Sequence, residues 1–258
     1  MCLQLPQIVT NFLGSATLKR DRIGESPCQV YACRRGTDRF FLKFSPAIYA
    51  STTYSVLREA AVMEWLRSVL NVPEVVLKTQ NEQGEYMITR AVDGEPLGAR
   101  IERGQSAVEM YLEAIRQLRS IPVAGCPFHS SVDVRLAELD FLLRHGLTAE
   151  DYDLSRWPEI ATPENLVSHL HAAKPEEEMV FSHGDLGDSN VLIDCQDRLH
   201  FIDLGRAGLA DRWLDVAFVC LSLREDVSED TVSDFLQQLG EGDNLRHREY
   251  FEKLDELF

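Results

Sequence analysis

The sequence has no run approaching the roughly 18 apolar residues that a membrane span needs. Its opening, Met-Cys-Leu-Gln-Leu-Pro, lacks the basic start and long apolar core of a secretory signal. The nucleotide-loop pattern G-x-x-x-x-G-K-[ST] occurs nowhere, which argues against a P-loop enzyme. Six cysteines (Cys2, Cys28, Cys33, Cys126, Cys195 and Cys220) are scattered without the spacing of zinc ligands, so the expectation is reduced thiols in a cytoplasmic protein. Basic residues are also scarce: 26 Lys and Arg stand against 42 Asp and Glu, a net charge of −16. Affinity for a phosphate backbone depends on clustered Lys and Arg, so the expectation is no nucleic-acid partner; without a long apolar run no membrane is expected as a partner, and no obligate protein partner is evident.

The chain does hold enough apolar material for a packed core, 45% of its 258 residues, in one large domain or two lobes. The acidity is uneven. Residues 1–92 hold 11 Lys and Arg against 8 Asp and Glu, whereas residues 93–258 hold 15 against 34. Such a field concentrates a polycationic ligand and raises its on-rate, although surface carboxylates also serve solubility alone.

One stretch carries chemistry. Phe181-Ser182-His183-Gly184-Asp185-Leu186-Gly187-Asp188-Ser189-Asn190 is followed by Phe201-Ile202-Asp203-Leu204-Gly205. The apolar runs Val191–Ile193 and Leu199–Ile202 have strand length, so a hairpin would bring Asn190 and Asp203 together. An Asp, an Asn and a second Asp on two loops meet the needs of phosphoryl transfer. One carboxylate orients the attacking hydroxyl, while the Asn and the other Asp hold magnesium against the nucleotide phosphates. His183 suits a structural hydrogen bond better than acid or base work, and Asp188 suits either a loop cap or a substrate contact. Asp215, opening a helix at Trp213, reads as a brace for the catalytic loop's N–H groups.

This ordered set resembles the catalytic and metal loops of the protein-kinase superfold. More closely, the motif around Asp185 with Phe-Ile-Asp-Leu-Gly-Arg-Ala-Gly is similar to the aminoglycoside 3'-phosphotransferases, and the likeness extends from about residue 8 to Phe258. It implies an α+β, bilobal, kinase-like fold. An antiparallel-sheet lobe with one long helix (1–92) binds nucleotide, and a larger, mainly helical lobe (93–258) carries catalysis and substrate. Strand runs are expected at 16–19, 29–33, 39–44, 74–77 and 86–89, and helices over 5–13, 53–70, 106–121, 132–145 and 163–173. Ser106 with Glu109 reads as a capping box.

The resemblance also assigns residues. Lys43, in the apolar strand Phe41-Leu42-Lys43-Phe44, sits where kinases hold the α- and β-phosphates, and Glu59 has the family's spacing to pair with it. Gly24-Glu25-Ser26-Pro27-Cys28 carries one glycine where protein kinases have three, and Ser26 matches a phosphate-contacting serine. Phe41, Arg90 and Val92 fall at nucleotide-contact positions, the last two in a hinge that meets adenine through its backbone. Asp185 is the implied catalytic residue, and Asn190 and Asp203 the metal ligands. Asp188, Arg206, Glu225, Asp226, Glu256 and the terminal carboxylate of Phe258 are the implied substrate contacts. One departure stands out: Leu221 occupies a position where relatives carry arginine.

The expectation is therefore an enzyme that uses ATP or GTP with Mg2+ to phosphorylate the 3'-hydroxyl of kanamycin- or neomycin-type antibiotics, giving resistance. Three readings compete with it: a kinase of another small hydroxylated amine, a two-metal phosphohydrolase built on Asp185, Asp188 and Asp203, and a kinase-shaped binding module. The last would be marked by loss of a catalytic residue, and the phosphohydrolase leaves Lys43 and Glu59 without a task.

Overall fold

Alternation in the strand Asp38–Pro46 sets up the first half of the molecule. Phe40, Leu42 and Phe44 are buried on one face, while Phe41, Lys43 and Ser45 belong to the other. The computed structural model describes residues 4–21, 26–149 and 152–258. By packing, the chain forms two compact units: Met1–Gly94 with Leu192–Arg206, and Glu95–Val191 with Ala207–Phe258.

The first unit begins with helix α1 (Gln7–Leu13) and strands β1 (Lys19–Arg20), β2 (Gln29–Arg35) and β3 (Asp38–Pro46). Helix α2 (Val56–Leu66) and strands β4 (Val75–Asn81) and β5 (Gly84–Arg90) follow. The strands form one antiparallel sheet in the order β1-β2-β3-β5-β4. Val9 and Leu13 of α1 join Phe40, Leu42, Phe44, Tyr86 and Ile88 in the core on one side of it. Strand β1 is shorter than the run expected over residues 16–19. Only Lys19 and Arg20 pair with β2, while Ala16 and Leu18 pack on the core without a ladder.

Helix α2 is shorter than the pattern from Thr53 to Leu70. Ser55 caps it by accepting from the Arg58 N–H, and donates its own hydroxyl to Glu85 at 2.6 Å. Val56, Ala60, Val62, Met63 and Leu66 are buried along its length, together with Glu59.

Strand β6 (Gly94–Pro96) and helices α3 (Leu97–Ile101), α4 (Val108–Arg119), α5 (Val132–His145) and α6 (Pro163–Ala172) come next. Strands β7 (Met179–Ser182), β8 (Val191–Asp194), β9 (Leu199–Phe201) and β10 (Gly208–Asp211) precede helices α7 (Trp213–Asp226), α8 (Glu229–Leu239) and α9 (Leu245–Asp255). In the second unit β7 pairs antiparallel with β10, so that the chain leaves Ser182 directly into the loop carrying Asp185. Helix α7 is buried through most of its length: eight of its nine apolar side chains from Trp213 to Leu223 are buried. The opening of α4 differs from the expected capping box. Its N-cap is Ala107 with no side-chain cap bond, and the Ser106 hydroxyl instead donates to the Glu109 carboxylate.

Candidate active site

In the first unit, register carries Lys43 opposite Val30 and Met87, in the middle of the sheet. Its ammonium lies 2.8 Å from Glu59 Oε2 and 2.8 Å from Asp203 Oδ1. Burial acts to lower the pKa of Lys43, but the carboxylates of Asp203 and Glu59 outweigh it and hold the lysine well above its ordinary value. For Glu59 burial wins: it pushes the carboxyl up against the pull of Lys43, and the like charge of Asp203 adds to the rise. The glutamate side chain is only 3% exposed while that of Asp203 is 51% exposed. Glu59 therefore serves as the inner anchor of the lysine, and Asp203 is open to a ligand.

Asp203 sits in the left-handed region at φ +56°, a strained choice for a residue with a side chain. The turn that follows is locked to α2. The Arg58 guanidinium donates to the Gly205 carbonyl, and a Cβ on Gly205 would come 2.5 Å from the Thr53 carbonyl oxygen, which is why glycine stands there. Arg206 donates to the Tyr54 hydroxyl at 3.1 Å and lies over its ring at 5.5 Å.

Of the other residues expected at the nucleotide, Phe41 is partly exposed on the Lys43 face of β3. Arg90 directs its guanidinium to Glu74 at 2.9 Å and Asp38 at 3.2 Å, so what it retains for a base is backbone; Val92 is half-buried beyond it. Ser26 is exposed. Gly24 and Glu25 of the same loop lie outside the described residues.

In the second unit, the loop bearing Asp185 is held by its backbone. The Asp215 carboxylate accepts from the His183 N–H at 2.9 Å and the Gly184 N–H at 3.0 Å. The Gly184 N–H also reaches Ser182 Oγ at 3.0 Å, and Gly184 itself adopts φ +80°, which favours glycine. The Asp185 carbonyl accepts from Asn190 Nδ2 at 2.9 Å and from the Gly187 N–H at 3.0 Å. With Nδ2 committed, the donor atom that Asn190 keeps for a cation is Oδ1.

Among the expected substrate residues, Asp188 is half-buried against Gly98, and burial, then the neighbouring charge of Asp226, pushes its carboxyl up. Asp226 accepts from Ser222 Oγ at 3.0 Å, and that hydroxyl lies 2.8 Å from the Tyr111 hydroxyl. Glu225 is exposed on the last turn of α7. Glu256 accepts from the Asp153 N–H, and burial raises its pKa. Phe258 is half-buried, with its N–H on the Asp255 carbonyl at 2.9 Å. Leu221 is half-buried on α7.

Arg135 is a site residue not singled out from the sequence: the helix expected over 132–145 carries no assigned residue. Arg135 is 1% exposed and donates through Nη1 and Nη2 to the Gly184 carbonyl, at 3.3 and 2.9 Å. A signal existed: Arg135 falls on the same stripe as Val132, Leu136 and Leu139, where a charge has no business unless it is paired.

A sheet carrying a carboxylate-bound lysine, a helix supplying the buried glutamate and a braced Asp loop are the parts of a kinase-like phosphotransferase. Comparison with known proteins agrees. The phosphotransferase enzyme family matches residues 18–251. An aminoglycoside 3'-phosphotransferase of Acinetobacter baumannii is 43% identical, over 99% of this chain and 100% of the relative. One from Enterococcus faecalis is 40% identical, over 93% of this chain and 92% of its own length. Among solved structures, a type VIII aminoglycoside 3'-phosphotransferase superposes with a TM-score of 0.84 at 28% identity, covering 98% of this chain and 97% of that one. The chain belongs to the phosphotransferase enzyme family and, within it, to the aminoglycoside 3'-phosphotransferases. It is an enzyme that moves a phosphoryl group to an alcohol.

Proposed function

We propose that this enzyme transfers the γ-phosphate of ATP to the 3'-hydroxyl of kanamycin- and neomycin-type aminoglycosides and so confers resistance to them. The observation that carries the phosphoryl-transfer reading is Lys43 held at 2.8 Å from both Glu59 and Asp203. A buried carboxylate fixes the ammonium, a half-exposed one shares it, and triphosphate oxygens would complete its shell.

The catalytic work is positioning and electrostatics. Lys43 holds the α- and β-phosphates, with Ser26 on the covering loop, and Phe41 and the hinge backbone at Arg90 and Val92 meet the base. Asp185 accepts a hydrogen bond from the acceptor hydroxyl and orients its oxygen toward phosphorus. Arg206 neutralises charge near the transferred group. Mg2+ is the expected counter-ion, and when bound it would offset the phosphate charge. The donors fit it: Asp203 and Asn190 offer a carboxylate and an amide oxygen, hard ligands of the kind magnesium takes from protein while phosphate and water supply the rest.

Asp188, Glu225, Asp226, Glu256 and the terminal carboxylate of Phe258 would take the drug's ammonium groups, several weak pairs of about 0.2–1 kcal/mol each summing to useful affinity. Supply of ATP places the enzyme in the cytoplasm. Among the described residues no helix is long and apolar enough to cross a membrane, and five cysteines are free thiols.

The test is turnover by purified protein with ATP and magnesium, using aminoglycosides that have or lack the 3'-hydroxyl, following ADP release and mapping the phosphate on the product. ADP release that is equal with and without that hydroxyl refutes the regiochemistry.

A further inference from the structure

Gly184 supplies the carbonyl of the peptide unit that leads into Asp185, and that carbonyl is gripped by a guanidinium. Arg135 donates to it twice, at 3.3 and 2.9 Å, while Asp215 holds the N–H of the same residue at 3.0 Å. The orientation of this peptide plane sets the backbone angle of Asp185 and hence the direction in which its carboxylate leaves the chain. The other face of the arginine is occupied by the last residue: its guanidinium carbon lies 5.1 Å from the centroid of the Phe258 ring. Phe258 ends a segment anchored by Leu254 and Leu257, both fully buried, and by the Ala149 N–H on the Leu257 carbonyl at 3.1 Å.

We propose that Arg135 is a positioning residue that couples Phe258 to Asp185, so that a residue assigned above to the drug also sets the angle of the carboxylate that orients the drug's hydroxyl. A planar guanidinium is suited to this in a way lysine is not, because it stacks on a ring with its face while its edge keeps two donors on one carbonyl. Burial of an arginine at this point of α5 then has a reason beyond packing. The coupling rests on the reading of Asp185 as the residue that orients the acceptor hydroxyl.

The test uses the full chain in four forms beside the wild type: R135K, F258L, F258Y and R135K/F258L. F258L keeps the terminal carboxylate and an apolar side chain but removes the ring; F258Y keeps the ring. The expected result is a fall in kcat of about tenfold or more for R135K and for F258L, with KM for ATP unchanged, since small misplacements of a reacting group cost up to about a hundredfold. F258Y, which keeps the ring, should lose clearly less kcat than F258L, and the double variant should be no slower than the slower single one. Equal kcat in F258L and wild type, loss in F258Y as large as in F258L, or losses that multiply in the double variant each overturn the proposal. Should R135K fail to fold, the contrast between F258L and F258Y decides alone. A wild type that phosphorylates no aminoglycoside sinks the substrate reading instead, which keeps the two failures apart.

Discussion

Asp215→Ala removes the carboxylate that accepts from two consecutive buried N–H groups, those of His183 and Gly184. A hydrogen bond to a charged group contributes about 1.5–3 kcal/mol, and a buried donor stripped of its acceptor costs about as much. The Gly184 N–H keeps Ser182 Oγ at 3.0 Å, which puts its share at the low end. The two together come to roughly 3–5 kcal/mol, a large part of the ~5–15 kcal/mol that holds a domain folded. For a chain of this size that lowers the thermal midpoint by about 10 °C. Asp215→Asn keeps one acceptor oxygen but turns an amide N–H toward the other backbone N–H, so its loss should be intermediate, about 1–3 kcal/mol. Thermal unfolding followed by far-ultraviolet circular dichroism gives the order wild type, Asn, Ala. Turnover should fall with it, and KM for ATP should not, because Lys43 and its carboxylates lie in the other unit. Midpoints of all three proteins within about 2 °C of one another, a difference too small for even one lost hydrogen bond, would refute the bracing role.

Lys43→Met leaves the buried Glu59 facing an apolar side chain; breaking such a pair costs about 3–5 kcal/mol, and phosphorylation should become undetectable in the ADP-release assay. Charge reversal at Glu225, Asp226 and Glu256 should raise KM for the drug far more than KM for ATP, and an equal rise in both means the cation pocket is misplaced. Asp194 is held well below the usual carboxylate range by hydrogen bonds, first from His200 and also from Arg198 and the Gln196 N–H. A depressed carboxyl stabilises the fold above the unfolded-state pKa of about 3.9 and loses that contribution as pH falls through its folded value. The stability gap between wild type and Asp194→Asn should therefore be full near neutrality and close progressively in acid; a gap constant down to pH ~2 contradicts this.

The loops around Asp185 and Asp203 stand out in the sequence because phosphoryl transfer needs fixed residue types at fixed intervals, here an Asp five residues before an Asn. The central strands and α5 were legible for a different reason: a short apolar run at Phe40–Phe44 bounded by turn residues, and helical spacing of apolar residues at Val132, Leu136 and Leu139. What stayed hidden depends on long-range packing. The place of Arg135 on the apolar stripe of α5 says that it needs a partner, but nothing local announces that Gly184, 49 positions away, takes its guanidinium. The start of α2 is fixed by Ser55, whose hydroxyl meets Glu85 of β5, a partner that periodicity does not see. The grouping of Leu192–Arg206 with Met1–Gly94 follows from α2 docking on the Asp203–Arg206 turn, whereas a linear reading divides the chain once, at residue 92.

That grouping has a practical consequence for anyone dissecting the gene. Expression of residues 1–94 alone would yield a first unit missing its own fifteen-residue insert, with Lys43 deprived of one of its two acidic partners and Arg58 of its carbonyl. A stand-alone version would have to graft Leu192–Arg206 back through a designed linker. A reporter assembled from two fragments would gain its background suppression from the same omission, since neither piece is whole before they meet.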